Sequence, residues 1–439
     1  MWRNWFKRKE NLAAIGLALL VLGLHFIVIN NPHQMILDEQ HYVPEANRII
    51  HGEDLQRLEH PPLGKLFIAL GIELFGDNSF GWRFFPIMFG AASIILFYLV
   101  CQKLTNRRYV PLLATFLLAF ENSCFAQAGV AMLDVFLVTF MLAAFLFYLH
   151  HRYISSGVAL ALSALVKFSA ASAGAAIFLH WIFTRIKARQ ARPKTSADPL
   201  CSPILVGDFA GHPQEITPLE ISPSLPLEIS DNASKRKLTS FLTVANLNGI
   251  LFLIAAPVAF IALMPLLDYL ATGDLLYPWD RIHYMVTTMN TLKFSNIAAG
   301  NASHPWTWLT SPDGMAFWYN PSYTSGVNWT MWALIVPSIV YSIYGAVRRN
   351  SLLLFTTLWF ASTYLVWFPV VLITDRVMFR FYFYPTVGAI CLVLGFAISE
   401  ILRLSVRQTS RKVRWTLRAL VTVWVIANLI VFVFMSPLL

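Results

Sequence analysis

Long apolar runs recur along this sequence, and most are close to the length that a helix needs to cross a lipid bilayer. A helix rises about 1.5 Å per residue, so about 20 apolar residues cross about 30 Å of hydrocarbon. Only 13% of the 439 residues are charged, whereas soluble domains carry about 25%. So few charges could not cover the surface of a soluble protein of this length. The sequence therefore predicts an all-α polytopic membrane protein.

The apolar runs predict about eleven transmembrane helices. These cover residues 11–30, 82–101, 109–121, 131–150, 153–166, 169–186, 240–267, 329–347, 352–373, 380–402 and 416–436. Basic residues concentrate in the intervening segments 102–108, 150–152, 187–239, 348–351 and 403–415. Because basic loops stay in the cytoplasm, this alternation predicts a cytoplasmic N-terminus and an external C-terminus.

Three regions follow from this topology. Residues 1–186 form an N-terminal transmembrane region with a first large external loop at 31–81, and residues 240–439 form a C-terminal transmembrane region with a second external loop at 268–328. Between them, residues 187–239 are rich in Pro and Ser, which is typical of a flexible cytoplasmic linker. The net charge of +10 comes from short basic segments beside apolar runs, so nucleic acid is not an expected partner.

The first external loop carries an adjacent pair of acids close to the predicted membrane surface. Asp38 and Glu39 fit a solvated helix end, and they equally fit a general base or a cation ligand at the lipid–water boundary. The same segment adds other ionisable side chains: His41, Glu45, His60, Lys65 and Arg83. The presence of these ionisable residues in the same segment favours a functional site over a solvated helix end.

The segment after His60 predicts a short helix and a turn. Pro61 and Pro62 fit the first turn of a helix, where a missing N–H does no harm. The helix predicted at about 63–75 is too short to span a membrane and is amphipathic, so we expect it to lie along the interface. Gly76-Asp77-Asn78 predicts the turn that follows.

Several basic residues lie on the predicted external side, where the positive-inside rule does not require them. Lys65, Arg83, Lys167 and Arg376 would suit a bound phosphate, and they would also suit anchors that extend their charged ends to water. Asp134 lies near the outer end of the fourth predicted helix. An acid at this depth is a functional candidate or the buried partner of another charge.

The second external loop contains His304-Pro305-Trp306-Thr307-Trp308. Aromatic faces beside a histidine suit contacts with a sugar or a peptide, and they equally suit an aromatic belt at the membrane surface.

Several of these pieces occur together and in order: LDEQHY, HPPLGKLFIALG, LFGDNSFGWR, LDVFLV with the Lys167 segment, HPWTWLTSP and TDRVMFRFYFYP. From about residue 35 to 390, outside the linker, the chain resembles the protein O-mannosyltransferases. These are dolichyl- or polyprenyl-phosphate-mannose–protein mannosyltransferases of the GT-C class of membrane glycosyltransferases. The loop at 268–328 is too short for the sugar-binding-like insertion of eukaryotic members. The chain is therefore similar to a bacterial-type enzyme, and its acceptor stays open.

The resemblance implies a GT-C fold with a site on the external face, in the periplasm or exterior of an inner membrane or in the ER lumen. It implies that Asp38 is the catalytic base, with Glu39 beside it and Arg83 important to the site. Neutralisation of the donor phosphate would fall to Lys65, Arg83, Lys167 and Arg376. Substrate contacts would come from His60, Asp134, His304, Trp306 and Tyr384.

The predicted function is inverting transfer of a sugar, by resemblance mannose, from a polyprenyl phosphate to a Ser or Thr hydroxyl of a protein. No cofactor is required on this interpretation, although a divalent cation on Asp38 and Glu39 is an alternative. A second alternative is a lipid or glycolipid acceptor. A third is a transporter or flippase, for which inverted repeats and charges at the bilayer midplane would be expected. Membrane lipids are expected partners in every case.

Overall fold

A computed structural model describes residues 5–190, 244–289, 291–296, 300–319 and 322–438. From residue 191 onward, the linker predicted at 187–239 lies outside the described residues. The chain divides into two compact units, Met1–His180 with Gly249–Leu439 and Trp181–Asn248. The candidate site belongs to the first unit.

Helices account for most of the described residues. They are α1 (Lys9–Val28), α2 (Glu39–His51), α3 (Leu63–Phe75), α4 (Ser79–Leu104), α5 (Val110–Ala119), α6 (Asn122–Ala128), α7 (Asp134–Leu149), α8 (Tyr153–Ala164), α9 (Ala171–Gln190), α10 (Val244–Thr272), α11 (Pro278–Met289), α12 (Thr307–Thr310), α13 (Trp329–Trp332), α14 (Ile335–Val347), α15 (Ser351–Phe360), α16 (Trp367–Thr374), α17 (Tyr384–Arg407) and α18 (Arg411–Phe434). Short 3-10 turns lie at Phe168–Ala170, Phe294–Asn296 and Arg380–Phe383, and a π-helical segment, Ala361–Leu365, joins α15 to α16.

Six helical stretches among the described residues are long and apolar enough to cross a membrane. They are Lys9–Val28, Ser79–Leu104, Gly249–Thr272, Ser351–Thr374, Arg380–Arg407 and Arg411–Phe434. A seventh results if α5 and α6, which meet at 61°, form one span, and α7, α8 and α14 are shorter apolar helices. Large apolar side chains such as Ile27, Val347 and Ile373 are at least 76% exposed, as expected of surfaces that face lipid. The helical membrane fold is confirmed, whereas the number eleven stays a prediction.

The loop at 31–81 folds into α2 and α3, and the helix predicted at about 63–75 matches α3. The chain leaves α2 through Gly52, whose φ of +66° places it in the left-handed region that glycine adopts most easily. Helix α3 then packs closely against α4 where Gly71 meets Gly81, because neither residue has a side chain. A Cβ on Gly71 would lie 2.3 Å from the carbonyl oxygen of Gly81. This crossing brings the loop residues after α1 against the first turns of α4.

The turn predicted at Gly76-Asp77-Asn78 connects α3 to α4. The Asn78 side chain caps α4 by accepting hydrogen bonds from the backbone N–H groups of Phe80 and Gly81. Asp77 accepts a 2.6 Å bond from the indole N–H of Trp82 and a 2.9 Å bond from the Asn47 amide. The FGDNSFGW segment therefore holds α2, α3 and α4 together.

The loop at 268–328 contains the strands β1 (Met315–Tyr319) and β2 (Ser322–Ser325), which the all-helical prediction did not include. They pair antiparallel, with Met315 opposite Ser325. The Ser325 hydroxyl donates a 3.2 Å hydrogen bond to the carbonyl oxygen of Asn122. The hairpin is thus attached to the start of α6.

Candidate active site

Glu39 and Arg83 form a fully buried ion pair between α2 and α4. Each carboxylate oxygen of Glu39 accepts a 2.8 Å hydrogen bond from the Arg83 guanidinium, and the two side chains are at most 1% exposed. The same two oxygens also accept hydrogen bonds from the backbone N–H groups of Ile36 and Ala131. Each oxygen therefore accepts two bonds, which fills the ordinary capacity of a carboxylate.

The remaining donors of Arg83 close the loop that follows α1. They bind the backbone carbonyl oxygens of Ile29, Pro32 and Gln34 at 2.8 to 3.2 Å. A guanidinium has five N–H donors, and all five of Arg83 are engaged. Arg83 therefore has no free N–H with which to make the predicted contact with a donor phosphate.

Lys65, in the first turn of α3, forms a similar buried pair with Glu45 of α2. It is 1% exposed, and its ammonium lies 3.4 Å from Glu45 and contacts the carbonyl oxygen of Arg57. Glu45 also accepts hydrogen bonds from the backbone N–H groups of Gln56 and Arg57. The pair fixes the segment before His60, and Lys65 does not line the cavity described below.

A third buried pair, which the sequence does not predict, joins residues 268–281 to the loop at 31–81. Arg281 on α11 donates a 3.2 Å hydrogen bond to Asp268 of α10. Its other nitrogens bind the carbonyl oxygens of Leu58 and His60. These partners lie more than 200 residues apart in the chain, and no local sequence pattern marks them.

Lys167 and Asp134 meet where α7 begins and α8 ends. The Lys167 ammonium lies 3.0 Å from both carboxylate oxygens of Asp134. It also lies 4.5 Å from the ring centre of Tyr382 and 4.9 Å from that of Phe381. Burial alone would lower the pKa of the Lys167 ammonium, but the carboxylates of Asp134 and Asp38 hold it above its usual value. Lys167 is therefore a fixed positive charge.

Asp38 precedes α2 and belongs to the same cluster. Its side chain is partly buried, and burial raises the pKa of its carboxyl group from the usual 3.8 to about 6, with Asp134 adding to this effect and Lys167 opposing it. The described residues make no hydrogen bond or ion pair to this carboxylate, in contrast to the neighbouring Glu39. Asp38 therefore has a carboxylate available to a substrate.

A cavity of about 290 Å³ opens beside Lys167. One wall is the face of α16 that carries Trp367, Val370 and Thr374, at helical spacing. The polar groups that line it are His60, Lys167, Ser169, Ser172, Thr374, Arg376 and Tyr382. The cavity thus combines apolar walls with two cations.

His60 lines this cavity and is uncharged. Burial, together with the nearby Lys167 and Lys65, holds the pKa of its imidazole well below the usual range. Its Nδ1 is buried and has no hydrogen-bond partner among the described residues. A neutral imidazole with an unpartnered nitrogen can donate to, or accept from, a bound hydroxyl group.

Of the predicted substrate contacts, His60 lines the cavity and Asp134 lies beside it through its pair with Lys167. His304 and Trp306 stack with ring centres 4.4 Å apart, and Trp306 touches Phe368 next to Trp367, so they lie behind the cavity wall.

Tyr384 is 4% exposed and lines a separate cavity of about 30 Å³ with His25 and Ser93. Tyr382, two residues earlier, faces Lys167 instead.

The acidic residues do not assemble a cation site of the usual kind. No group of three or more His, Cys, Asp or Glu side chains that could hold a metal ion occurs among the described residues. Because the Glu39 oxygens are saturated by hydrogen bonds, Glu39 and Asp38 cannot both coordinate one ion in this arrangement.

Comparison with known proteins finds similarity in the first part of the chain. A model of the dolichyl-phosphate-mannose-protein mannosyltransferase family matches residues 15–196. A polyprenol-phosphate-mannose–protein mannosyltransferase of Mycolicibacterium smegmatis is 35% identical over 116 residues, which are 25% of this chain and 22% of that protein. An undecaprenyl phosphate-alpha-4-amino-4-deoxy-L-arabinose arabinosyl transferase of Pseudomonas paraeruginosa is 31% identical over 128 residues, 27% of this chain and 23% of that protein.

The fold as a whole is also similar to a solved structure. The S. cerevisiae protein O-mannosyltransferase Pmt1–Pmt2 complex bound to the sugar donor matches with a TM-score of 0.67 over 97% of this chain and 89% of that chain. The two sequences are 13% identical, so this likeness concerns the fold. The chain has the GT-C fold of membrane glycosyltransferases.

Proposed function

We propose that this chain, which has the GT-C fold and whose residues 15–196 match a model of the dolichyl-phosphate-mannose-protein mannosyltransferase family, is a glycosyltransferase. It transfers mannose from a polyprenyl phosphate to a hydroxyl group of a protein, on the non-cytoplasmic face of the membrane. One observation carries the proposal. Asp38, whose carboxylate has no partner among the described residues, lies in the same electrostatic cluster as Lys167, which lines an apolar cavity with Arg376.

The cavity supports the lipid-phosphate donor. Its apolar wall, formed by Val366, Trp367 and Val370, suits the isoprenoid units nearest the phosphate. Lys167 and Arg376 lie where they would neutralise the phosphate as negative charge develops on its bridging oxygen. Polyprenyl phosphate is a good leaving group, so charge neutralisation is the main help that its departure from the anomeric carbon needs.

The acceptor side of the reaction falls to Asp38. Its carboxylate takes the hydroxyl proton while the hydroxyl oxygen bonds to the anomeric carbon, and the bond from that carbon to the phosphate oxygen breaks. The products are the glycoside and free polyprenyl phosphate. Displacement from the face opposite the phosphate inverts the anomeric carbon. A base with a pKa near 6 is largely ionised at neutral pH and still binds a proton well.

The other buried pairs support this site without touching the substrate. Glu39 and Arg83 fix the backbone on both sides of Asp38. Lys65 and Glu45 fix the loop segment before His60. We therefore assign Arg83 and Lys65 to positioning, in place of the phosphate contact that the sequence predicts for them.

Acceptors other than protein form the second candidate function. The chain is also similar over 128 residues to an undecaprenyl phosphate-alpha-4-amino-4-deoxy-L-arabinose arabinosyl transferase, whose name specifies no protein acceptor. After incubation with a labelled polyprenyl-phosphate mannose, label in the protein fraction supports the first proposal. Label confined to the lipid fraction would replace it with the second.

The decisive experiment measures transfer from a panel of polyprenyl-phosphate sugars by the wild type and by Asp38→Asn. We expect Asp38→Asn to reduce turnover by at least about 10²-fold, because it loses a positioned base. Asp54→Asn is the matched control, since Asp54 is an exposed acid in the same loop, and it should transfer normally. Near-normal turnover by Asp38→Asn refutes the assigned base, and transfer from none of the sugars refutes the function.

A further inference from the structure

A second apolar groove lies between α17 and α18, and none of its lining residues lines the cavity beside Lys167. Its volume is about 220 Å³. It is lined by Leu394, Ile398 and Ile401 of α17 and by Leu417, Val421 and Trp424 of α18. The groove residues of α17 lie 10 to 17 positions after Tyr384, which places them about 15 to 26 Å along the helix from the end that follows Tyr382. The groove therefore has no part in the proposed transfer.

Two arginines continue the groove-lining stripe of α18. Leu417, Val421 and Trp424 follow one another at helical spacing, and Arg414 lies one turn before Leu417 on the same face. Arg414 and Arg418 are partly buried, whereas Arg411 and Lys412 are exposed. The two arginines thus stand where the groove ends at the basic surface.

Within the part of the chain that the structure describes, acids do not balance the positive charge of residues 403–418. Residues 403–418 contain six Lys and Arg and no Asp or Glu. The acid just before them, Glu400, is already paired with Arg107 and Arg403. None of the ion pairs within the described residues involves Arg414 or Arg418.

Arg418 is held in place by neutral contacts. Its Nε donates a 3.4 Å hydrogen bond to the Ser405 hydroxyl on α17, and its guanidinium lies 5.7 Å from the ring centre of Trp415. Ser405 is 0% exposed, so this contact fixes the base of the side chain beside the groove. The guanidinium is then oriented beside the groove before any anion arrives.

We propose that this groove and its two arginines form a binding site for an anionic glycerophospholipid. The phosphate contacts Arg414 and Arg418, and an acyl chain runs along Leu417, Val421 and Trp424. Ten residues separate Arg414 from Trp424, which is about 15 Å of helix, the depth of one leaflet's hydrocarbon. An uncompensated cationic pair discriminates against a zwitterionic headgroup, which brings no net charge.

The test compares lipid binding to the purified full-length protein by native mass spectrometry. Phosphatidylglycerol and phosphatidylcholine with identical acyl chains are titrated separately. We expect phosphatidylglycerol to bind at least about tenfold more tightly. Arg414→Gln/Arg418→Gln should remove that preference, since each cation near an anionic headgroup contributes about fivefold in affinity.

The control is Arg348→Gln/Arg349→Gln, which removes the same charge from exposed residues after α14. It should keep the preference for phosphatidylglycerol. Leu417→Trp, which fills the groove without changing charge, should weaken phosphatidylglycerol binding by a similar factor. Thermal unfolding of each variant in phosphatidylcholine verifies that it is folded.

Three results would overturn the proposal. They are equal affinity for the two lipids, equal loss of preference in the control variant, and displacement of the lipid by soluble glycerol 3-phosphate at the concentrations where the lipid itself binds. The last result would indicate a plain anion site in which the groove plays no part. None of these outcomes bears on mannose transfer, so this proposal and the proposed function can fail separately.

Discussion

Arg83 and Glu39 are 44 residues apart and join by two parallel 2.8 Å hydrogen bonds inside the protein. Glu39 follows Asp38 directly in the sequence, so this pair fixes the position of Asp38, the proposed base, at the start of α2. The pair is structural on this account, although its residues lie in the motif that suggests catalysis.

Replacement of Arg83 by alanine should therefore destabilise the fold. Removal of one member of a buried pair leaves the other charge uncompensated, at a cost of about 3–5 kcal/mol. We expect a marked fall in melting temperature in detergent. Any folded enzyme that remains should show an unchanged KM for the lipid-phosphate donor, since Arg83 has no N–H left for it.

The double variant Arg83→Met/Glu39→Leu is the matching control. It removes both charges and keeps apolar volume, so it should recover much of the stability lost in the single variant. A normal melting temperature in Arg83→Ala together with a large rise in donor KM would return Arg83 to the phosphate site.

The pH dependence of transfer should report Asp38. A general base works only when unprotonated, and its carboxyl pKa of about 6 means that acid removes the active form. We expect kcat/KM to rise with pH and to level off above about pH 7, falling about tenfold per pH unit well below pH 6. An unperturbed carboxyl would instead give a profile that is flat down to about pH 4.5.

Asp38 should also reduce stability at high pH. Because its pKa is higher in the folded state than the usual 3.8, the folded protein binds the proton more tightly, and stability is lost as pH rises through about 6. A shift from 3.8 to about 6 corresponds to a cost on the order of 3 kcal/mol at pH 8.

Asp38→Asn should consequently melt at a higher temperature than the wild type at pH 8, and close to the wild type at pH 4. Loss of activity with a gain in stability is the combination expected when a buried charge serves chemistry. A variant less stable than the wild type at pH 8 would mean that the carboxylate has a structural partner.

Sequence patterns could predict part of this site and not the rest. Helix α3 was predictable because two prolines and an apolar face mark its start and its length. The pairing of Arg281 with the carbonyl oxygens of Leu58 and His60 was not, because residues more than 200 positions apart leave no trace in the periodicity of a single sequence.

Tyr382 lies beside Lys167 at the site where the sequence predicts Tyr384, and this difference has a geometric cause. Residues Arg380–Phe383 form a 3-10 turn before α17, so the direction of each side chain depends on where that turn gives way to the helix. Tyr382 stacks on Trp367 with ring centres 5.0 Å apart, and this contact turns it toward Lys167. Five of the seven residues in FRFYFYP are aromatic, so the sequence does not indicate which of them faces the Lys167 ammonium.

The apolar wall of the donor cavity offers the test that separates tail recognition from phosphate recognition. Val370 lines the cavity from α16 without touching Lys167, and Val370→Trp should fill much of its 290 Å³. We expect KM for a long polyprenyl-phosphate mannose to rise at least about tenfold, with kcat reduced much less, because the tail loses its place and the phosphate contacts remain. Leu372→Trp is the control, since Leu372 on the same helix is 74% exposed and faces away. Its KM should stay at the wild-type value. If Val370→Trp leaves KM unchanged for donors of every chain length, the tail lies elsewhere and the cavity beside Lys167 holds only the headgroup.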